Sequence, residues 1–199
     1  KPKLVVMDVN MIYTPLNVLK LGLLNLFPIF HYHNAWLFEE KVDYRADRKG
    51  FNGSDQVAPY QVDAAYMQRN LSEKLPADSQ IYLDKIYQFC KREKSLLLLV
   101  NTISPLVWTN GRHEIIQTWC DENDVNYVDY NQPELLKKIA FDFNTDLRDY
   151  GEHVNVYGSK KICKNLGNYI KQNYVLEDHR KDSSYQEWNA LAQDASEYD

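Results

Sequence analysis

Much of what would class this chain at a glance is absent from it. Cysteine is scarce. Cys90, Cys120 and Cys163 are an odd number without metal-ligand spacing. Cys90 and Cys120 fall on apolar faces of expected helices and Cys163 beside one, so the three read as inert thiols in or near the core. No stretch approaches the roughly 18 apolar residues needed to span a bilayer, and no signal-peptide pattern opens the chain. Because Lys1 stands directly before an expected strand, a signal or anchor is looked for ahead of it. Basic residues are outnumbered, with 23 Lys and Arg against 28 Asp and Glu, and the net charge of −5 argues against a nucleic-acid partner. There is no internal repeat and no low-complexity tract.

What is present reads as a soluble globular domain: 44% hydrophobic and 26% charged residues over 199 positions, enough chain to bury a substantial apolar core. The pattern alternates strand and helix. Leu4-Val5-Val6-Met7, ending in Asp8-Val9-Asn10, suits a buried parallel strand. Ser95 to Val100 is a second such run, ending at Asn101-Thr102-Ile103-Ser104-Pro105, and Asn126 to Tyr130 is a third. Helical faces lie between and after them: Tyr82, Ile86, Phe89 and Cys90 from a start near Asp78-Ser79; Ile115, Ile116, Trp119 and Cys120; and Ile162, Leu166, Tyr169 and Ile170. This order predicts an α/β fold, a three-layer α/β/α sandwich with a parallel, flavodoxin-like sheet and ligands at the carboxyl ends of its strands.

Two stretches break the rhythm. Residues from about 13 to 75 read as an insertion or lid, with a helix-prone part from Leu16 to Phe30, then His31-Tyr32-His33-Asn34-Ala35-Trp36, then a polar loop from Asp43 to Tyr60. His31 and His33 are two apart, which suits packing better than a helical ligand pair. The tail from about 177 to 199 is acidic and carries Trp188 as its one large anchor, which predicts an extended arm.

The strongest chemical signal is Asp149-Tyr150-Gly151-Glu152-His153-Val154-Asn155-Val156-Tyr157-Gly158, just ahead of the last helical pattern. A histidine titrates near neutral pH and can serve as a general base, provided an acid holds its other ring nitrogen in one tautomer. Asp149, four residues before His153, is favoured for that task over the adjacent Glu152, whose side chain should point away. Asn155 and Gly158 are expected to shape the turn into a helix starting near Ser159. An ordinary loop histidine is the plain alternative.

The run from Tyr150 to Tyr174, YGEHVNVYGSKKICKNLGNYIKQNY, resembles the closing block of SGNH/GDSL-type hydrolases, in which an Asp-x-x-His element precedes hydrophobic-Asn-x-x-Gly and a helix. The Lys1-Pro2-Lys3 opening, the FPIFHYHNAW segment and Leu176-Glu177-Asp178-His179-Arg180 are similar to a bacterial surface-associated subgroup of that family. The resemblance implies a sheet missing its first strand or strands and a serine ester hydrolase acting on O-acyl or acetyl groups of a cell-surface glycan. Its partner is then an acylated carbohydrate or other small ester, outside the cytoplasm of a bacterium, with neither cofactor nor metal. His153 matches the catalytic base, and Asp149 stands one residue further away than the family's aspartate. Asn10, at a strand end, matches the oxyanion donor of a Gly-x-Asn-Asp block whose glycine and second acid are lacking here.

The family's Gly-Asp-Ser nucleophile segment is not recognisable. Ser104, before Pro105 at a strand end, faces the expected crevice but suits a structural role. Ser54, in Asn52-Gly53-Ser54-Asp55, lacks the preceding apolar strand. The expectation is therefore a nucleophile upstream of Lys1, or else a non-catalytic relative that binds a glycan or a protein partner. Trp108 is a candidate platform for stacking a sugar ring, with a core anchor as the alternative. Asp8-Val9-Asn10 also resembles the Asp-x-Asn opening of metal-dependent PIN-type nucleases and the Asp-x-Asp of HAD phosphatases. Both would need further carboxylates around a cation, from Glu39-Glu40, Asp121-Glu122, Asp124 or Asp129, and the acidic charge disfavours a nuclease. His113 and His179 sit in polar contexts and carry no special signal.

Overall fold

A computed structural model describes residues 1–13, 53–61, 66–69 and 74–195. The Leu16–Phe30 segment, His31, His33, Trp36 and Glu39-Glu40 lie outside these residues. The chain divides into two compact units, the first from the described parts of Lys1–Tyr44, Gln68–Asn101 and Trp108–Asp129, the second from those of Arg45–Met67, Thr102–Val107 and Tyr130–Asp199.

The first unit holds a parallel sheet of three strands, β1 (Leu4–Asp8), β2 (Leu96–Asn101) and β3 (Asn126–Asp129), in the order β1-β2-β3. Leu4 lies opposite Leu96 and Asp8 opposite Val100, while Leu98 faces Asn126 and Asn101 faces Asp129. The central strand is the apolar run Leu-Leu-Leu-Leu-Val, and all of it past Leu96 is buried. Leu97, Leu98, Leu99 and Val100 each contribute about 1.5–3 kcal/mol by leaving water, as an upper bound. Three strand ends, Asp8, Asn101 and Asp129, thus come together at one edge of the sheet.

Helices α1 (Ala77–Glu93) and α2 (Asn110–Asn123) join these strands, and each ends on a left-handed residue, Lys94 and Asp124, that turns the chain back into the sheet. The buried stripe of α1 is Ser79, Leu83 and Cys90. Tyr82 and Phe89, expected on that stripe, are exposed instead. Their rings lie under cations, Lys85 at 5.3 Å and Arg92 at 4.9 Å, an amphipathic alternative that aliphatic side chains do not have. On α2 the expected face is the observed one, with Ile116, Trp119 and Cys120 buried. Tyr87 of α1 meets Trp119 edge-on and donates its hydroxyl to the Asn123 carbonyl at 2.8 Å, while the Trp119 indole N–H donates to Asp84 at 2.9 Å. Burial raises the Cys90 thiol, and burial with the nearby Asp121 pushes Cys120 up to about 12, as expected of inert core thiols.

The second unit carries α3 (Pro133–Lys138), α4 (Val156–Asn173) and α5 (Gln186–Ala195). Helix α4 buries Val156, Gly158 and Ile162. Its start at Val156 is three residues earlier than expected near Ser159, because Asn155 itself is the cap. In the tail, α5 forms where an extended arm was expected, and Trp188 on it is 56% exposed. Among the described residues no helix is long and apolar enough to cross a membrane.

Candidate active site

The His153 loop is assembled from its flanks inward. Asn155, almost fully buried, accepts the Tyr157 and Gly158 N–H groups at 3.0 and 3.1 Å and so caps α4. Its amide nitrogen donates to the carbonyls of Thr145 at 2.6 Å, Gln56 at 3.2 Å and Leu147 at 3.3 Å. One side chain thereby ties the helix to two separate stretches of loop. Gly158 must lack a side chain here, since a Cβ would meet the Asp146 carbonyl at 2.5 Å. Asp146 is buried and paired with Lys161 at 2.7 Å. The Asn-x-x-Gly element of the sequence is thus a helix cap followed by a close approach of backbone to helix.

The segment from Ser54 to Tyr60, within the stretch read as a lid, forms the wall of this loop. Ser54 accepts the Val156 N–H at 2.9 Å, Ala58 donates to Leu147 at 2.9 Å and Tyr60 to Phe143 at 3.2 Å. Leu147 and Val154 form an antiparallel bridge, and Arg148 donates its N–H to the His153 carbonyl at 3.1 Å. Between them the chain reverses through Tyr150 and Gly151 at φ of 59° and 108°. Positive φ at both central positions is the signature of the mirror-image turns that join antiparallel strands. At Gly151 a Cβ would also lie 3.0 Å from the Tyr60 ring, a tight approach that adds to the backbone preference for glycine.

Asp149 is the hub of the turn. Its Oδ1 accepts the backbone N–H groups of His153 at 2.6 Å and Glu152 at 3.2 Å, and its Oδ2 lies 2.5 Å from His153 Nδ1. Burial acts to raise the Asp149 carboxyl. The hydrogen bonds from His153 outweigh it, together with the charges of His153 and Arg148, and hold the group below its ordinary range. The imidazole side chain is 59% exposed. Its Nδ1 is engaged, and Nε2 takes no hydrogen bond among the described residues. A carboxylate on Nδ1 with an open Nε2 is the arrangement of a histidine held ready to take a proton. Glu152 lies near enough that one ligand atom from each of Asp149, Glu152 and His153 falls within 4.8 Å of the others. In the arrangement seen, Nδ1 and both Asp149 oxygens already serve each other and the backbone.

The first unit contains a second polar assembly, at the carboxyl edge of its sheet. The Asp129 side chain has no exposed surface. It accepts the Trp108 indole N–H at 2.8 Å and the Asn101 amide at 3.2 Å, and His113 Nδ1 lies 2.8 Å from it. His113 stacks on Tyr127 with centroids 5.5 Å apart. Sequence reading passed over His113. The available signal was a histidine in the first turn of a helix that follows one strand end, with an aspartate closing the next strand.

The remaining candidates fall as follows. Trp108 is fully buried, edge-on to Tyr13 at 5.5 Å, so its ring has no face to offer a sugar; the core-anchor reading replaces the stacking one. Ser104 is buried in a turn, its N–H donated to Asn131 at 3.0 Å and its carbonyl accepting the Val107 N–H at 3.1 Å. Asn10 follows β1, opens a 3₁₀ turn over Asn10–Tyr13, and donates its N–H to Asp8 at 2.8 Å. Asp8 and Asn10 belong to the first unit, Ser104 and His153 to the second. No protein-family model, no curated protein and no solved structure matches the chain.

Proposed function

We propose that this chain carries the acid–base half of an SGNH-type serine ester hydrolase, one that removes O-acyl groups from a carbohydrate at a bacterial cell surface, within a three-layer sandwich of that family. The observation that carries the reading is the Asp149–His153 pair, with Nδ1 engaged and Nε2 open. The Asn155 cap and the Gly158 contact support it, because they give physical work to the two other residues on which the resemblance rests.

In the mechanism proposed, His153 Nε2 takes the proton of a serine hydroxyl as its oxygen adds to the acyl carbonyl. Asp149 holds the imidazolium through Nδ1. The developing oxyanion needs N–H donors, a role for which Asn10 is the sequence candidate. His153 returns the proton to the departing sugar oxygen, and water repeats the sequence to free the serine and a carboxylic acid.

The test uses the complete open reading frame, with whatever precedes Lys1, and p-nitrophenyl acetate as substrate. His153→Ala is expected to lower kcat by about 10²- to 10⁴-fold, and Ser54→Ala to leave it intact. Turnover indifferent to His153→Ala would sink the reading. An absence of turnover with saturable glycan binding would favour a binding module.

A further inference from the structure

We infer that His113 and Asp129 form a second proton-accepting pair, a site for the O–H group of water or an alcohol, independent of the role assigned to His153. The pairing has the two properties that make a histidine useful as a base. Its acid is wholly buried, and its ring keeps 22% of its side-chain surface exposed. A carboxylate that cannot reach water has its oxygens fixed by what surrounds it, here the Trp108 indole and the Asn101 amide. With Asp129 on Nδ1, the neutral ring carries its proton on that nitrogen and leaves the lone pair on Nε2. Nε2 takes no hydrogen bond among the described residues.

A ligand is indicated by a separate observation. Among the described residues, two buried polar atoms beside the same carboxylate, Asn101 Oδ1 and the Tyr127 hydroxyl, have no hydrogen-bond partner. The Asn101 amide cannot be turned to relieve this, because its nitrogen must donate to Asp129. Burial, with the Asp129 charge added, pushes the Tyr127 phenol far up, so it stays an O–H group; it lies near the carboxylate without reaching hydrogen-bond geometry. Unsatisfied buried polar groups are rare, and a bound molecule is one of the explanations each calls for. An unmet acceptor and a hydroxyl lie beside the carboxylate, and the imidazole lone pair lies on the far side of the His113 ring; each is a group that a small O–H compound, which donates and accepts at once, can serve. In the step inferred, that O–H gives its proton to Nε2, its oxygen keeps the bonding electron pair, and Asp129 holds the resulting imidazolium.

Two-bond ¹H–¹⁵N spectra of the histidine rings, recorded on the whole chain where imidazole is neutral, provide the test. His113 is expected as the Nδ1–H tautomer, and as the Nε2–H tautomer in Asp129→Asn, whose amide would donate to Nδ1. Diethyl pyrocarbonate, which acylates an imidazole lone pair, should modify His113 faster than the exposed His179, and about tenfold or more slower in Asp129→Asn with His179 unchanged. An Nε2–H tautomer in the parent protein, or slow His113 modification unaffected by Asp129→Asn, would overturn the inference. The parent spectrum decides the matter even if that variant fails to fold.

Discussion

Two histidine–aspartate pairs of this protein, Asp149 with His153 and Asp129 with His113, are built in opposite ways. Asp149 and His153 are four residues apart on one turn, both side chains more than a third exposed, and the acid is steadied by backbone N–H groups of the same turn. Asp129 and His113 are 16 residues apart, on the end of a strand and the first turn of a helix, and their acid is sealed away with side-chain donors from two further segments. In the first case a loop makes the pair, and the fold need only hold the loop's ends. In the second the fold makes the pair, so the pair is part of what the fold consists of. The first construction gives an exposed base on a partly exposed acid, and the second a half-buried base on an acid fixed out of reach of water.

The difference can be broken most sharply at Asp129. Asp129→Ala removes at once the acceptor of two buried donors and of the half-buried His113, and should cost about 3–5 kcal/mol in urea unfolding. A loss below 1 kcal/mol would mean that the buried pair is no more structural than the exposed one. Next in size is Asn155→Ala, which leaves the His153 pair chemically intact but removes its anchorage. Loss of the cap together with an amide that serves three carbonyls should cost about 2–4 kcal/mol, read in the same unfolding experiment. Stability equal to the parent would show that the loop holds itself without that side chain. The smallest effect is expected at Asp149. Its folded pKa lies below its unfolded one, so the pair's contribution is present above the unfolded carboxylate value of about 3.9 and is lost as pH falls through the folded value. The thermal midpoint of Asp149→Asn should therefore fall slightly below the parent's near neutrality and converge with it on acidification. A gap that widens toward low pH would reverse the assignment.

These contrasts also explain what could be read beforehand. The central strand was legible because the run Leu97 to Val100 is apolar on every residue, as suits a strand covered on both faces. The α2 face was legible for the same reason of period. On α1 the period was right and the face displaced, since Tyr82 and Phe89 found cations outside rather than neighbours inside. The choice of Asp149 over Glu152 was legible because a residue four positions back on a tight turn can reach Nδ1, and it does so although Glu152 also lies close by. Trp108 was not: its buried position depends on an aspartate 21 residues further on.

By itself, then, the sequence determined what lies within a few residues: strand and helix, the His153 turn with its acid, and the Asn-x-x-Gly start of α4. Such features follow from local sterics and from hydrogen bonds that close short loops at small entropic cost. Tertiary structure alone decided what was matched over longer distances. It set Asn101 beside Asp129 in register, brought Trp108 and His113 onto that carboxylate, and laid Ser54 to Tyr60 along the His153 loop. Those pairings are fixed by which buried polar groups must find partners once the core closes, and that requirement is not periodic in sequence.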